Sequence, residues 1–176
     1  MQWVFPPRPL PLRGLPPAAA PHAAALQVLL CIEAGVDLCD SVYPHLATEA
    51  GAALCFPLAP GGAPAADAGE DGLKLNMRAE AHRTDKRPLL SGCACFTCAR
   101  HTRAYVHHLL NTHEMLAGVL LDLHNMHHYQ AFFAAARDAI GQGRFAAFAE
   151  FHRNLRVEMR QASAFAAVAE DAAAAE

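Results

Sequence analysis

The chain has 176 residues, 53% of them hydrophobic, and a formal net charge of −3 at neutral pH. This length provides for one hydrophobic core with a small satellite subdomain, and it excludes two full-sized domains. A slightly acidic chain has no overall attraction for nucleic acid, so any RNA contact has to come from a local basic patch, and no apolar run reaches the ~18 residues of a membrane-spanning helix.

The first 21 residues contain seven of the twelve prolines. Proline fixes the backbone and lacks an amide hydrogen, so this density predicts an irregular segment rather than a helix or a central strand. The same prolines interrupt the place where the apolar core of a secretory signal would lie. We therefore expect an intracellular protein.

Helical and strand patterns alternate in the next part of the chain. Apolar residues at helical spacing predict an amphipathic helix over 21–34, which Gly35 closes. A loop rich in proline, glycine and alanine is predicted at 59–72. Three short apolar runs predict strands, at 36–39, 52–56 and 73–77.

The second half of the chain is predicted to be helical. Asn111 and Glu114, three positions apart, resemble a capping box at the start of the longest of these helices. Leu120 and His127 are expected on its buried face together with Leu116 and Leu123. The first and third predicted helices span 99–110 and 145–160, and the longest begins directly after Asn111 and runs to about residue 139.

Three cysteines within six residues, Cys93, Cys95 and Cys98, form the most informative motif. Three thiolates and one imidazole are the ligand set of a closed, tetrahedral Cys3His zinc site. If one helix runs away from the cysteines for about 13 residues and the next returns antiparallel, the chain is level with Cys98 again near residues 123–127. Both His124 and His127 fit that position as the fourth ligand.

The other three cysteines lie in apolar surroundings, at Cys31, Cys39 and Cys55. A small secreted protein would spread disulfide-bonded cysteines over its whole length. In a reducing compartment the clustered cysteines are better explained as metal ligands. We expect the scattered three to be small core residues.

Several separated segments resemble, in order and spacing, the C-terminal zinc subdomain of the tRNA-guanine transglycosylases. They are 92–98, 101–109, 114–118, 123–127 and 143–145. The resemblance implies one Zn²⁺ per chain, held by Cys93, Cys95, Cys98 and His124. Members of this family are TIM (β/α)8 barrels, which need roughly 250 residues. The implied fold class is therefore α/β, with the C-terminal part of a barrel joined to a mostly helical Cys3His zinc-binding subdomain.

These patterns divide the chain into four predicted parts. The first is the proline-rich segment, the second contains the last barrel strands and a helix, the third is the zinc-binding subdomain, and the fourth is an alanine-rich tail. Their limits are 1–21, 22–90, 91–160 and 161–176.

Upstream of the cysteines, the segment 35–44 resembles the strand end that carries the family's catalytic nucleophile, and Asp40 occupies the nucleophile's position. Catalytic members follow the proline with Thr-Arg, whereas this chain has His45 and Leu46 after Pro44. The stretches 45–51 and 53–58 instead resemble the family's non-catalytic accessory subunits. Asp40 is then a vestigial nucleophile position, and the chain has no catalytic residue of its own.

An accessory subunit of this family forms a heterodimer with the catalytic subunit of queuine tRNA-ribosyltransferase and reaches tRNA through that complex. The resemblance also implies a cytoplasmic protein, peripheral at the mitochondrial outer membrane. Aromatic side chains of the last helices are candidate partner contacts or, alternatively, core residues: Phe132, Phe133 and Phe148.

Two alternative functions are consistent with the sequence. One is a catalytic transglycosylase in which Asp40 attacks the ribose anomeric carbon. The other is a stand-alone zinc module that binds RNA or protein. A basic stretch before the cysteines would supply phosphate contacts in either case. Its members are Lys74, Arg78, Arg83, Lys86 and Arg87.

Overall fold

The computed structural model describes residues 24–62 and 73–155. The predicted proline-rich segment, most of the low-complexity loop and the alanine-rich tail lie outside these residues, and the four-part division of the chain stays a prediction. The described part mixes helices with a small sheet. Its elements are α1 (Ala24–Glu33), α2 (Val42–Glu49), β1 (Ala52–Leu54), β2 (Lys74–Asn76), a 3-10 turn (Glu80–His82), α3 (Phe96–Arg100), α4 (Arg103–Asn111), α5 (Met115–Gly141) and α6 (145–155).

The first helix ends as the sequence predicts. Gly35 has a φ of +87°, a conformation that glycine adopts without steric cost. Its amide donates to the Ile32 carbonyl and the Val36 amide donates to the Cys31 carbonyl, at 3.0 and 2.9 Å. This pair of bonds satisfies the last carbonyls of α1 in the arrangement known as the Schellman motif.

The prediction of a buried strand at 36–39 is wrong. The segment is not a strand, and Leu38 is 88% exposed. A buried strand needs a hydrogen-bonding neighbour and an apolar cover, and the described residues provide neither for this segment. The segment therefore has the apolar composition of a strand, but within the described residues it lacks the neighbours that a strand requires.

The two other predicted strands are confirmed, although both are shorter than expected. β1 and β2 pair antiparallel, with Ala53 opposite Leu75 and both side chains buried. Gly51 precedes β1 with a φ of +71°, and a side chain there would meet the Arg78 guanidinium at 2.8 Å. The two strands are antiparallel, whereas the strands of a (β/α)8 barrel are parallel, so barrel strands are not seen in the part of the chain that the structure describes.

The predicted single helix after the cysteines is interrupted. His101 and Thr102 are extended, and Thr102 caps the start of α4 by accepting the Tyr105 amide hydrogen at 3.3 Å. This bond satisfies one of the amides that a helix leaves unpaired at its start. The chain thereby changes direction between α3 and α4.

The predicted start of the longest helix is wrong, whereas its length is confirmed. Asn111 is the last residue of α4 and Glu114 makes no side-chain cap, so no capping box forms. The buried face of α5 is also rotated from the predicted one. Leu116, Leu123 and His127 are exposed, and of the predicted face only Leu120 is buried.

Helix α5 contributes buried side chains to both halves of the hydrophobic core. Its 27 residues extend for about 40 Å, and buried side chains occur from Ala117 to Ala139. One half of the core lies between α5, α1, α2 and α6, and the other half lies between α5, α4 and the ribbon. None of the helices in 24–62 or 73–155 is both long and apolar enough to cross a membrane.

The first half of the core is built around aromatic rings. Phe56 contacts Phe132 and His128 edge-to-face, with centroids 5.6 and 4.5 Å apart. His152 on α6 packs against both Phe132 and Phe148. Its Nε2 atom is buried and makes no hydrogen bond. Burial among these aromatic rings lowers the pKa of His152 to about 4.

This histidine is expected to weaken the fold as the pH falls from about 6.5 to 4. In that window the unfolded chain takes up a proton that His152 in the folded chain does not, so stability is full above pH 6.5 and decreases below it. We expect His152→Phe to remove about 2 kcal/mol of the stability difference between pH 7.5 and pH 5. Urea unfolding of both chains at the two pH values measures this difference.

His45, which is exposed on α2, provides the matched control. His45→Gln removes a histidine from the surface and should leave the pH dependence of unfolding as it is in the unaltered chain. If His152→Phe also leaves it unchanged, the pKa of His152 is the same in the folded and the unfolded chain, and the burial argument is incorrect.

Candidate metal centre

Cys93, Cys95, Cys98 and His124 come together in the folded chain, and their ligand atoms all lie within 4.8 Å of one another. The His124 Nδ1 atom is 3.8, 3.5 and 3.4 Å from the three sulfurs in chain order. Tetrahedral zinc with Zn–S bonds of ~2.3 Å and a Zn–N bond of ~2.0 Å would separate nitrogen from sulfur by roughly 3.5 Å. The spacing of the four side chains therefore fits a zinc ion.

Backbone amides support the three sulfurs. Cys95 stands at the N-cap of α3, and its sulfur accepts the Cys98 amide hydrogen at 3.3 Å. The Cys95 amide interacts with the Cys93 sulfur, and the Leu90 amide interacts with the Cys98 sulfur. Each sulfur thus has one backbone N–H that stabilises its thiolate form.

The second nitrogen of His124 fixes the orientation of its ring. Nε2 donates to the Leu54 carbonyl at 2.9 Å, because a carbonyl oxygen only accepts. Nδ1 is therefore the atom that faces the sulfurs. A hydrogen bond from the distal ring nitrogen to a backbone carbonyl is the usual support for a metal-binding histidine.

His124 is one of three α5 side chains that bond to the edge of β1 opposite β2. Asn125 Oδ1 accepts the Leu54 amide hydrogen at 2.8 Å, and its Nδ2 donates to the Ala52 carbonyl at 2.9 Å. His128 Nε2 donates to the Phe56 carbonyl at 3.0 Å. The edge of a short strand, which would otherwise need a further strand, is satisfied by helix side chains.

Protons are shared unequally within the cluster. A hydrogen bond from the Cys98 thiol lowers the pKa of Cys93 to about 3, and the same bond raises the pKa of Cys98. Burial acts to lower the pKa of His124, but hydrogen bonds to the Cys93 and Cys95 sulfurs outweigh it and raise the pKa to about 9. Binding of a cation to the four side chains would displace the protons that these groups share.

Asp40 lies in an exposed turn before α2. Its Oδ1 atom accepts the Val42 amide hydrogen at 3.3 Å, and its carbonyl accepts a hydrogen bond from the Tyr129 hydroxyl. A carboxylate at the start of a helix satisfies an otherwise unpaired amide and interacts favourably with the helix dipole. In the described structure, the Asp40 carboxylate therefore has a structural role at the start of α2.

The five basic residues proposed for RNA contact differ in their partners and in their exposure. Arg83 pairs with Glu80, and Arg87 makes hydrogen bonds of 2.7–3.1 Å to the Asp85 carboxylate. Lys86 and Arg78 are exposed, and Lys74 is half-buried on β2. At least two of the five charges are thus shared with carboxylates inside the chain.

The aromatic residues considered as partner contacts belong to the core instead. Phe132 and Phe148 are buried, and Phe133 packs against the same cluster. The core alternative is confirmed for these residues. Of the scattered cysteines expected in the core, Cys55 is buried, whereas Cys39 is exposed.

Sequence reasoning missed Asn125 and Arg103. Each is a buried polar side chain, and each bonds to backbone atoms far away in the chain. The only signal in the sequence is their position inside helices whose neighbouring residues are apolar. Their partners are backbone groups, which nearly every residue has, so the sequence does not show which of them are bonded.

Comparison with known proteins relates this chain to tRNA-modifying proteins. The family described as Queuine tRNA-ribosyltransferase matches residues 20–156. The queuine tRNA-ribosyltransferase accessory subunit 2 of Danio rerio is 42% identical over a 148-residue alignment that covers 69% of this chain and 36% of that protein. The protein of the same name from Homo sapiens is 38% identical over 154 residues, covering 72% and 37%.

A third relative of that name, from Ixodes scapularis, is 44% identical over 114 residues, covering 62% of this chain and 29% of that protein. The chain thus spans about a third of the length of these relatives. Because the family match extends over most of the chain and includes all four residues of the candidate metal centre, the chain belongs to the queuine tRNA-ribosyltransferase, or tRNA-guanine transglycosylase, family.

Proposed function

We propose that this chain acts as a non-catalytic accessory subunit of queuine tRNA-ribosyltransferase and supports the exchange of guanine for queuine at the wobble position of the tRNA anticodon. The observation that carries the proposal is the identity of 38–44% to relatives named accessory subunit 2. The exposed Asp40, engaged as a local hydrogen-bond acceptor at the start of α2, is consistent with a subunit that does not perform the transfer.

The proposal includes one Zn²⁺, held by Cys93, Cys95, Cys98 and His124. Four protein ligands around one point complete a tetrahedron, so the ion would act as a structural cross-link. It would join the start of α3 to the middle of α5 and, through the His124 Nε2–H, to β1. These connections make the ion part of the folded core rather than an attachment to it.

For the fold, we propose that α1 and the exposed segment after it belong to the end of a (β/α)8 barrel. The support is that Leu38 and Val42 are largely exposed, so apolar surface at this end of the described structure lacks cover. Barrel elements from outside the described residues would cover this apolar surface. For tRNA, the proposed contacts are Lys74, Arg78, Arg83, Lys86 and Arg87, of which Arg78 and Lys86 are exposed. A cytoplasmic location, peripheral at the mitochondrial outer membrane, stays a prediction.

We place the contact with the catalytic subunit on the exposed face of α5. Leu116, Val119 and Leu123 follow one another at helical spacing and are 42%, 54% and 45% exposed. Met115 at the start of the helix is almost fully exposed. An apolar stripe of this kind on the outside of a long helix is typical of a surface that a partner covers.

Co-expression of the chain with the catalytic subunit of its organism, in medium that contains zinc, tests this proposal. We expect a stoichiometric complex, and we expect Val119→Asp to abolish it because a carboxylate would be buried in the apolar contact. His45→Asp places the same charge on exposed α2 and should leave the complex intact.

The outcomes separate the possible functions. A folded, zinc-loaded chain that forms no complex would contradict the accessory function. If the complex forms and Asp40→Asn in this chain abolishes base exchange, the chain is instead a catalytic subunit. A complex that tolerates Val119→Asp would show that the partner binds elsewhere.

A further inference from the structure

Arg103 at the start of α4 is a buried arginine whose side chain is directed at the backbone of another segment. The side chain is only 3% exposed. Its Nε donates to the Pro88 carbonyl at 2.9 Å, and its Nη2 donates to the Leu89 carbonyl at 3.0 Å. Nη1 lies 3.3 Å from the Asp85 carboxylate. A buried guanidinium is costly unless its donors are satisfied, and here each of its three nitrogens has a partner.

The segment that Arg103 holds leads directly into the candidate metal centre. After Leu89, which is fully buried, the chain makes a turn in which the Cys93 amide donates to the Leu90 carbonyl at 3.2 Å. Two backbone bonds, from the Arg103 amide to the Arg87 carbonyl and from the Ala104 amide to the Asp85 carbonyl, attach the same segment to α4.

The peptide group between Leu89 and Leu90 connects the arginine to a sulfur. Its carbonyl accepts from Arg103 at 3.0 Å, and its N–H interacts with the Cys98 sulfur. A donor on the carbonyl side of a peptide polarises the N–H on the other side and strengthens the interaction that this N–H makes. The guanidinium therefore fixes the position of an amide that acts on Cys98 and of the turn that leads to Cys93.

The other ligands have anchors of their own. His124 is held by the Leu54 carbonyl, and α3, which carries Cys95 and Cys98, is attached to α5 by the Thr97 hydroxyl, which donates to the Leu120 carbonyl at 2.7 Å. Cys93 lies before α3 and reaches the centre at the end of the turn that follows Leu89. Its placement therefore depends most on the segment that Arg103 holds.

We propose that Arg103 is a positioning residue for the metal centre, acting through the Leu89–Leu90 peptide on the Cys98 sulfur and through the following turn on Cys93. This inference rests on the proposed zinc site. Lysine should replace arginine poorly, because one ammonium group does not reach the Asp85 carboxylate and two carbonyls in a fork geometry.

The test measures zinc affinity of the full chain by competition with a chromophoric chelator, and the visible spectrum of the Co²⁺-substituted chain. We expect Arg103→Met to weaken zinc binding about 10–100-fold, the range for residues that orient metal ligands, and Arg103→Lys to weaken it at least about 10-fold. The thiolate-to-cobalt charge-transfer band should lose roughly a third of its intensity as one of three sulfurs leaves the ion.

Val106→Ala is the matched control, because Val106 is fully buried on α4 in the core that also contains Leu89. It loosens the same core but leaves the guanidinium in place, and it should retain the cobalt spectrum and a zinc affinity within about threefold. The inference is overturned if Arg103→Met keeps both, or if Val106→Ala loses as much as Arg103→Met. Failure of the unaltered chain to bind one zinc ion would instead refute the metal centre itself.

Discussion

Replacing Cys95 with serine is expected to abolish zinc binding and to unfold the helical part of the chain around the centre. Its sulfur is a buried candidate ligand, and serine, which can still accept the N-cap hydrogen bond of α3, lacks the thiolate that would bind the ion. Structural zinc contributes about 10–16 kcal/mol in small zinc-binding domains, as much as the whole stability of an ordinary domain. Loss of helical circular dichroism and of bound zinc in the purified chain measures the effect.

Cys39→Ser is the control for this experiment. Cys39 is exposed and lies outside the metal centre, so its replacement removes a thiol without touching a ligand. It should leave the zinc content and helicity as they are in the unaltered chain. A Cys95→Ser chain that folds without zinc and still binds the catalytic subunit would contradict the structural role of the ion.

Replacing Asn125 with alanine is expected to cost roughly 3–5 kcal/mol of the free energy of unfolding. The substitution leaves the Leu54 amide, the Ala52 carbonyl and the Thr48 hydroxyl without the partner that each has now. Each buried polar group left unpaired costs about 1–3 kcal/mol. Urea unfolding of the zinc-saturated chain, monitored by circular dichroism, gives this free energy.

The control substitution is Asn111→Ala on α4. Asn111 is exposed and makes one hydrogen bond, to the His107 ring at 2.8 Å. The substitution removes one donor from the buried Nε2 atom of His107, so we expect it to cost about 1–2 kcal/mol, less than the loss of three bonds at Asn125. Equal effects of the two substitutions would mean that the three bonds of Asn125 contribute no more than the single bond of Asn111.

Local patterns in the sequence were sufficient to predict features that depend on the residues of one segment alone. The end of α1 was predicted because Gly35 is the residue that adopts a positive φ without cost. The ribbon was predicted from two short apolar runs, and β1 and β2 form within them. The length of α5 followed from an uninterrupted helical pattern between residue 114 and Gly141.

Predictions that depended on what lies against an element were less successful. The helical pattern in α5 contains two apolar faces, one with Leu120 and Leu121 and one with Leu116 and Leu123. Only packing decides which face is buried, because both satisfy the same periodicity. The run at 36–39 has the composition of a strand but, within the described residues, no partner that would make it one.

The sequence by itself determined which side chains form the candidate metal centre. The thiolates of Cys93, Cys95 and Cys98 with one imidazole are a ligand set for zinc, and the helical rise favoured His124 or His127 as the fourth ligand, of which the family resemblance selected His124. The tertiary structure decided how that centre is built into the fold. Bonds from His124, Asn125 and Arg103 go to backbone carbonyls and amides, which are the same in every residue, so only the folded chain shows which of them meet.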